Sequence, residues 1–179
     1  MLEMELKALL KNKNQVKTFL EEQSCQWSEP HFQADTIYIN EQTETTVKNP
    51  VFRIRKTDDQ TILTLKIQET DLNTAQELEL EISDDKTMHQ ILQTIGFTAK
   101  VELGKERQTT EYKGYHICLD EVKRLGDFME IEKLAEEGAD KEAVYSEMMN
   151  ILEEFGIKKE DLREEKYFEM ILELESRRV

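Results

Sequence analysis

Polar and apolar residues alternate strictly in several short segments of the chain. In the first of them, Glu3, Glu5 and Lys7 alternate with Leu2, Met4 and Leu6. Successive side chains of a β-strand point to opposite faces, so this segment predicts a strand with one charged face and one apolar face. This alternation, or an enrichment in β-branched and aromatic residues, predicts about eight strands, at residues 2–7, 35–40, 52–55, 63–68, 77–82, 105–110, 115–122 and 128–134.

The links between these strands favour antiparallel pairing, because hairpin-length connections dominate. The clearest turn is Gly126-Asp127, between a strand that ends near Val122 and one that starts at Phe128.

Four other segments have the three- and four-residue apolar spacing of amphipathic helices. They begin at about Val16, Met88, Val144 and Tyr167. The second follows an acidic start at residues 83–85 and ends before Gly96, a residue type that commonly terminates helices. We therefore expect a single domain of residues 1–179, in which residues from about 140 to 179 form C-terminal helices packed on the strands.

Two architectures are compatible with these patterns. Four amphipathic helices need an apolar sheet face to pack on, which favours a barrel whose apolar faces point outward beneath helices and whose charged faces point into the lumen. The alternative is an ordinary half-exposed sheet, with its charged face in water. The alternation alone leaves both open.

Composition narrows the classes of function. The 179 residues carry a formal net charge of -15, with acidic residues spread from Glu3 to Glu175, which argues against a broad basic surface for nucleic acid. No apolar run approaches the roughly 20 residues of a membrane span, and the N-terminus lacks the features of a signal peptide. Cys25 and Cys118 form no Cys-x-x-Cys motif. We therefore expect a soluble cytoplasmic protein in a reducing compartment.

Several charged motifs, taken in order, resemble the CYTH, or triphosphate tunnel, family. The chain begins with Glu3-x-Glu5-x-Lys7, and Arg53-x-Arg55 and Leu63-Thr64-Leu65-Lys66 follow in the family's order. Further matches are Glu77-x-Glu79-x-Glu81, Lys105-x-Arg107 and the run from Cys118 to Glu132, which includes Leu125-Gly126-Asp127-Phe128-Met129-Glu130-Ile131-Glu132. The resemblance spans roughly residues 2–134, and residues 167–172 resemble the C-terminal helix of class IV adenylate cyclases.

The resemblance implies an α+β fold, in which an eight-stranded antiparallel β-barrel forms a tunnel with a polar lumen, covered by several α-helices. The triphosphate-binding residues implied are Lys7, Arg53, Arg55, Lys66, Lys105 and Arg107. The implied ligands of Mg²⁺ or Mn²⁺ are Glu3, Glu5, Glu79, Glu81, Asp120, Glu130 and Glu132. The implied catalytic residues are Lys7, Glu5 and Glu132. The repeated glutamates at 77, 79 and 81 do not reveal which pair holds metal.

These residue types suit triphosphate chemistry. Arginine presents a planar fork to phosphate oxygens and lysine a point charge, whereas carboxylates beside a polyphosphate need a divalent ion between them. His116 and Cys118 have the same parity as Asp120, which means that they lie on the same face of the predicted strand, but neither is assigned a role. His116 is expected to serve packing, since a lone histidine rarely marks a catalytic site.

Three functions follow from the resemblance. The first is a class IV adenylate cyclase-like conversion of ATP to cyclic AMP and pyrophosphate, with Mg²⁺ or Mn²⁺. The alternative is a triphosphatase that hydrolyses inorganic triphosphate, thiamine triphosphate or a nucleoside triphosphate. The third is a non-catalytic polyphosphate-binding protein, which is disfavoured because every charged position of the signature is present. A small-molecule triphosphate is thus the expected partner, and neither nucleic acid nor a membrane is expected. A homodimer is expected from the resemblance to the family alone.

Overall fold

The computed structural model describes residues 2–40, 51–68, 74–136 and 138–177. Its strands close into an antiparallel barrel in the order β1-β5-β4-β3-β2-β6-β7-β8, which confirms the predicted eight-stranded barrel. The strands are β1 (Leu2–Leu9), β2 (His31–Ile39), β3 (Val51–Lys56), β4 (Thr61–Gln68), β5 (Thr74–Glu81), β6 (Thr98–Tyr112), β7 (Tyr115–Val122) and β8 (Gly126–Ala135). The largest difference from the predicted bounds is in β6, which begins seven residues before the predicted start at residue 105.

The helices lie where the apolar spacing predicts them. They are α1 (Lys13–Glu22), α2 (Asp85–Thr94), α3 (Lys141–Glu154) and α4 (Tyr167–Ser176). Asp84 and Asp140 cap α2 and α3, because each carboxylate accepts a hydrogen bond from a backbone N–H of the first turn. The chain leaves α2 through Gly96 at φ +91°, a conformation that a side chain would strain.

The turn between β7 and β8 differs from the predicted one. Gly126 and Asp127 belong to β8, where they lie opposite Val122 and Glu121. The loop therefore consists of the three residues 123–125, which come directly before the predicted turn residues. Three-residue hairpins need a residue in the left-handed region, and here Arg124 at φ +76° supplies it together with Gly126 at φ +105°. The Gly-Asp pair thus predicts the hairpin correctly, but the two residues lie in the strand that follows the loop and not in the loop itself.

The apolar faces of β1, β7 and β8 point outward and are covered by helices. On β1, Met4 and Leu6 are almost fully buried, against Val16 and Leu20 of α1 and Met148 of α3. A second cluster forms where Leu92 of α2 and Phe97 pack on Tyr38 and Ile54, from the outer faces of β2 and β3. This arrangement is the predicted barrel with its charged faces inside, and not the half-exposed sheet.

Helix α4 lies across one end of the barrel. Its Phe168 and Ile171 pack with Ile37, Val101 and Phe128 at the end of the barrel where β2 and β7 finish and β8 begins. The outer face of β5 is different, because Leu78 and Leu80 are 53% and 60% exposed there. Helix α4 therefore covers one end of the lumen, whereas no described helix covers the outer face of β5, which is exposed to solvent.

A charged tunnel as the candidate active site

The lumen contains a cavity of about 280 Å³ whose wall is dense in charge. The cationic side chains that line it are Lys7, Arg53, Arg55, Lys66, Lys105, Arg107 and Lys166. The acidic side chains that line it are Glu3, Glu5, Asp35, Glu77, Glu79, Glu130 and Glu132. Among the described residues of the lining, seven cations thus face seven carboxylates, and their formal charges cancel.

The structure brings together all six cations that the sequence singles out for a triphosphate. It also brings five of the seven predicted metal-binding carboxylates to the cavity: Glu3, Glu5, Glu79, Glu130 and Glu132. Asp120 does not line the cavity but is fully buried behind its wall. Glu81 is exposed at the last position of β5, outside the cavity, although it shares the parity of Glu79. Strand parity gives the face of a residue but not its height in the barrel.

Asp120 orients two cations from behind. One of its oxygens accepts hydrogen bonds from Lys105 Nζ at 2.7 Å and Arg107 Nη2 at 2.6 Å, and the other accepts from Arg107 Nε at 2.6 Å. Arg107 also donates to Glu130. Burial would raise the pKa of Glu130, but Arg107, Lys105 and Lys7 hold it well below its usual range. Glu130 is therefore a carboxylate anion at neutral pH despite its burial.

On the opposite wall, two arginines of β3 have different partners. Arg55 donates from Nε and Nη2 to the two oxygens of Asp35, at 2.7 Å each. Arg53 donates from Nη2 to Thr64 Oγ1 at 3.1 Å, and its buried Nε has no hydrogen-bond partner among the described residues. Arg55 is thus fixed in the protein, whereas Arg53 keeps an unused donor.

A cluster around Lys66 bears on the predicted metal. Lys66 Nζ lies 2.6 Å from Glu77, 3.4 Å from Glu5 and 3.5 Å from Glu3. Burial raises the pKa of Glu3 to about 8, with a further contribution from the neighbouring carboxylates Glu77, Glu132 and Glu5, against the effect of Lys66. Lys7 also lies 3.4 Å from Glu5, and Arg53 3.7 Å from Glu77, yet the pKa of Glu3 stays raised among these closely spaced oxygen donors. The set therefore fits a hard divalent cation, which binds such carboxylates and offsets their repulsion.

Tyr167, the first residue of α4, lies beside two lysines at the end of the tunnel. Lys7 Nζ and Lys105 Nζ lie 4.7 Å and 5.2 Å from the centre of its ring, within the range of cation–π contacts. Its hydroxyl donates to Asp120 at 3.1 Å. Tyr167 thus belongs to the apolar cluster beneath α4 and also lines the cavity.

Sequence reasoning gave no role to four polar residues of the wall: Asp35, Thr64, Lys166 and Tyr167. Asp35 and Thr64 have the lumen parity of their strands, so alternation could have included them. Lys166 and Tyr167 come from the C-terminal segment, and no local pattern places a distant helix end in a barrel lumen. Of the three repeated glutamates of β5, Glu77 and Glu79 line the cavity.

His116 and Cys118 lie on the same side of the wall as Glu132. His116 is the register partner of Glu132, and its Nδ1 lies 3.5 Å from a Glu132 oxygen. The Glu132 carboxylate raises the pKa of His116, while burial raises that of the Cys118 thiol above its ordinary value. Cys118 Sγ lies 3.6 Å from the other Glu132 oxygen. The two residues without an assigned role thus contact one of the predicted catalytic carboxylates.

Comparison with known proteins identifies the family of the chain. The sequence profile of the CYTH domain family matches residues 1–167. A protein of Methanocaldococcus jannaschii named "Putative adenylate cyclase" is 28% identical over 172 residues, which cover 95% of this chain and 98% of that protein. None of the helices in the described part of the chain is long and apolar enough to span a membrane.

Two solved structures illustrate the likeness in fold. A Vibrio parahaemolyticus protein described by the same name superposes with a TM-score of 0.80 at 17% identity, covering 96% of this chain and 98% of that one. A Hippeastrum protein, described as an adenylyl cyclase candidate with a dominant triphosphatase activity, superposes with a TM-score of 0.61 at 16% identity, covering 93% and 92%. At these identities the two structures support the fold alone.

Proposed function

The chain belongs to the CYTH domain family, and from that premise we propose that it is a metal-dependent enzyme that acts on a triphosphate held in the tunnel. The observation that carries the proposal is the set of seven cationic side chains around one 280 Å³ cavity. Phosphoryl chemistry depends mainly on positioning and electrostatic stabilisation, which a preorganised ring of cations supplies.

The cations would bind the phosphate oxygens from several strands. Arg53 and Arg55 extend from β3, and Lys105 and Arg107 from β6, with Lys7 and Lys66 on further strands. The arginines offer paired donors to phosphate oxygens, and the lysines add point charges. Because Asp35 and Asp120 already hold three of these cations, little side-chain entropy remains to be lost when the ligand binds.

A divalent ion fits the charge balance of the wall. The cationic and acidic side chains of the described lining cancel, so a highly charged triphosphate needs additional positive charge. The carboxylates that would hold Mg²⁺ or Mn²⁺ through oxygen donors are Glu3, Glu5, Glu79, Glu130 and Glu132, with Glu77 beside them. When bound, the ion would supply Lewis-acid polarisation of the phosphate.

We propose adenylate cyclase chemistry as the first reaction. The ribose 3′-hydroxyl of ATP would attack the α-phosphorus, and the bond from that phosphorus to the bridging oxygen would break to release pyrophosphate. Glu5 or Glu132 would accept the hydroxyl proton, and Lys7 would stabilise the charge on the phosphate oxygens. The name of the Methanocaldococcus jannaschii relative and the motif of residues 125–132 support this choice.

A triphosphatase is the second candidate, and the size of the cavity favours it. A volume of about 280 Å³ lies at the lower limit of pockets that enclose a whole organic ligand. It suits a polyphosphate whose organic part, if there is one, stays at the mouth. Water would then attack the terminal phosphorus, the bond from that phosphorus to the bridging oxygen would break, and orthophosphate and the shortened polyphosphate would leave. The activity stated for the Hippeastrum protein agrees with this alternative.

One set of incubations distinguishes the two reactions. Purified protein is incubated with Mn²⁺ or Mg²⁺ and ATP, inorganic triphosphate or thiamine triphosphate, and the products are separated by chromatography. Cyclic AMP and pyrophosphate from ATP support the cyclase. Orthophosphate from inorganic triphosphate, without cyclic AMP from ATP, rejects the cyclase in favour of the triphosphatase. No product from any of the three, with a triphosphate still bound, rejects both reactions.

A matched Glu130→Gln preparation shows whether a contaminating enzyme is responsible, because a contaminant's activity would not change. A cytoplasmic location, a single-domain organisation and a homodimer stay predictions from the sequence.

A further inference from the structure

We propose that His116, Cys118 and Glu132 form a second metal site, for a zinc-type ion, at one mouth of the tunnel. Its ligands differ in chemistry from those of the magnesium or manganese site. One ligand atom from each side chain, a ring nitrogen, a thiol sulfur and a carboxylate oxygen, lie within 4.8 Å of one another. Neighbouring ligand atoms of a tetrahedral ion lie about 3.3 to 3.8 Å apart, given bond lengths of about 2.0 to 2.3 Å, so the three donors would have to approach one another by at most about 1.5 Å.

The two strands fix this geometry. His116 and Cys118 are two residues apart on β7 and therefore point to the same face, and Glu132 on β8 is the register partner of His116. One Glu132 oxygen lies 3.5 Å from His116 Nδ1, and the other lies 3.6 Å from Cys118 Sγ. The carboxylate thus already lies between the other two donors, and small side-chain adjustments would bring all three onto one ion.

The place of this triad in the barrel makes it accessible. Glu3 and Glu132 line both the tunnel cavity and a second cavity of about 350 Å³, whose wall includes His116. His116 is 44% exposed, whereas Cys118 is completely buried. This mouth lies at the opposite end of β7 and β8 from α4. An ion can therefore arrive from solvent at the imidazole and meet the thiol below it.

The donor set determines the kind of ion. Mg²⁺ and Ca²⁺ take oxygen ligands, while a thiolate together with an imidazole selects Zn²⁺ and related transition ions. The bound ion would replace the thiol proton, which would pass to solvent, as in other zinc–thiolate sites. Three protein ligands leave one position of a tetrahedral ion open.

This inference about binding does not depend on which triphosphate reaction occurs. Its consequence for turnover does rest on the proposed function, because Glu132 is shared with the proposed magnesium site. An ion held by Cys118 and His116 would withdraw that carboxylate from the tunnel. Zinc-type ions would then inhibit triphosphate turnover. Added Mg²⁺ would not displace them, because it does not bind the thiolate and the imidazole that hold them.

The test uses Co²⁺ as a spectroscopic substitute for Zn²⁺, with the reduced full-length protein. A thiolate bound to Co²⁺ gives an intense near-ultraviolet charge-transfer band, and we expect the wild-type protein to show it at one equivalent of Co²⁺. Excess Mg²⁺ should leave the band in place, and Zn²⁺ should abolish it by displacement. Because loss of even an outer-shell partner weakens metal binding by about 10–100-fold, we expect at least that loss of Zn²⁺ affinity in Cys118→Ser and in His116→Ala.

The matched control is Cys25→Ser, since Cys25 is the protein's other cysteine and lies outside the triad. Its band should equal that of the wild type. His116→Ala removes a half-exposed side chain, so it keeps the test valid even if the buried Cys118→Ser variant fails to fold. Absence of a charge-transfer band in the wild type, a band that depends on Cys25, or Zn²⁺ affinity unchanged in His116→Ala would each overturn the proposal. None of these outcomes depends on whether the protein turns over a triphosphate.

Discussion

Arg55 and Asp35 are register partners across β3 and β2, and two parallel hydrogen bonds of 2.7 Å join their side chains. Burial would raise the pKa of Asp35, but the Arg55 guanidinium holds it below its ordinary value. The pair lines the cavity, so Arg55 is held in place before any ligand arrives. The same contact therefore contributes to stability and to the preorganisation of the site.

We predict that Asp35→Asn lowers the free energy of unfolding by about 3 kcal/mol at neutral pH, since it leaves the Arg55 charge in the barrel without its partner. The folded-state pKa of Asp35 is depressed, so its contribution is present above the unfolded value of about 3.9 and is lost as the pH falls through the folded value. The difference between wild type and variant should shrink in acid, as measured by urea denaturation across pH.

Glu175→Gln is the control for this measurement, because Glu175 pairs with Arg124 on the exposed surface. Exposed pairs contribute about 0 to 1 kcal/mol. A loss in Asp35→Asn no larger than in Glu175→Gln would show that the ion pair does not stabilise the barrel.

Arg53 should contribute directly to ligand affinity. Its buried Nε has no hydrogen-bond partner among the described residues, so it has a donor available for a phosphate oxygen. We predict that Arg53→Ala raises the Kd for inorganic triphosphate by about ten- to a hundred-fold, which corresponds to the loss of a charge-assisted hydrogen bond. Isothermal titration calorimetry would measure the change. Arg124→Ala, which removes an exposed arginine, should bind like the wild type, and equal affinities for all three proteins would exclude Arg53 from the site.

Glu130 should separate metal response from triphosphate binding. Glu130→Gln keeps the shape of the side chain but removes a negative charge that Arg107, Lys105 and Lys7 stabilise. We predict that this variant still binds a triphosphate but loses turnover in response to Mg²⁺ or Mn²⁺. Chelation of the wild-type protein with EDTA should likewise abolish turnover, and readdition of metal should restore it. Full activity of the wild type in EDTA would contradict the metal-dependent reaction.

Tyr167 should contribute to stability through its ring more than through its hydroxyl. Tyr167→Phe removes the hydroxyl, which donates to Asp120 and also lowers the pKa of Glu130, and we expect it to cost about 1 kcal/mol. Tyr167→Ala also removes the ring beside Lys7 and Lys105, and we expect a cost of about 3 kcal/mol. Denaturation of the two variants side by side tests this order. Equal losses would assign the stabilisation to the hydroxyl alone.

The sequence predicted the inner face of the barrel better than its pairing. A period of two places Glu3, Glu5 and Lys7 on one side of β1 whatever the neighbouring strand, so alternation was sufficient there. The contact between Arg55 and Asp35 depends instead on the register of two strands, which no local pattern specifies. Glu81 shows the same limit, because its parity is correct but its place at the end of β5 lies outside the cavity.

The C-terminal contribution to the site was beyond local reasoning for a different reason. Tyr167 contacts Asp120, which is 47 residues earlier in the chain, and Lys7, which lies near the N-terminus. An amphipathic pattern predicts that α4 is a helix but does not specify which side chains face a core and which face a lumen. That distinction depends on how the helix packs across the end of the closed barrel.

The balance of charge in the tunnel also bears on the kinetics of entry. The charged residues of the described lining cancel, so they contribute nothing to the formal net charge of -15, and the other described residues carry a large excess of negative charge. A free triphosphate therefore approaches a repulsive outer field before it reaches the cations, the reverse of the usual electrostatic steering. Added salt should accelerate its association by screening that field, and a metal-complexed triphosphate should enter faster than the free anion at low ionic strength.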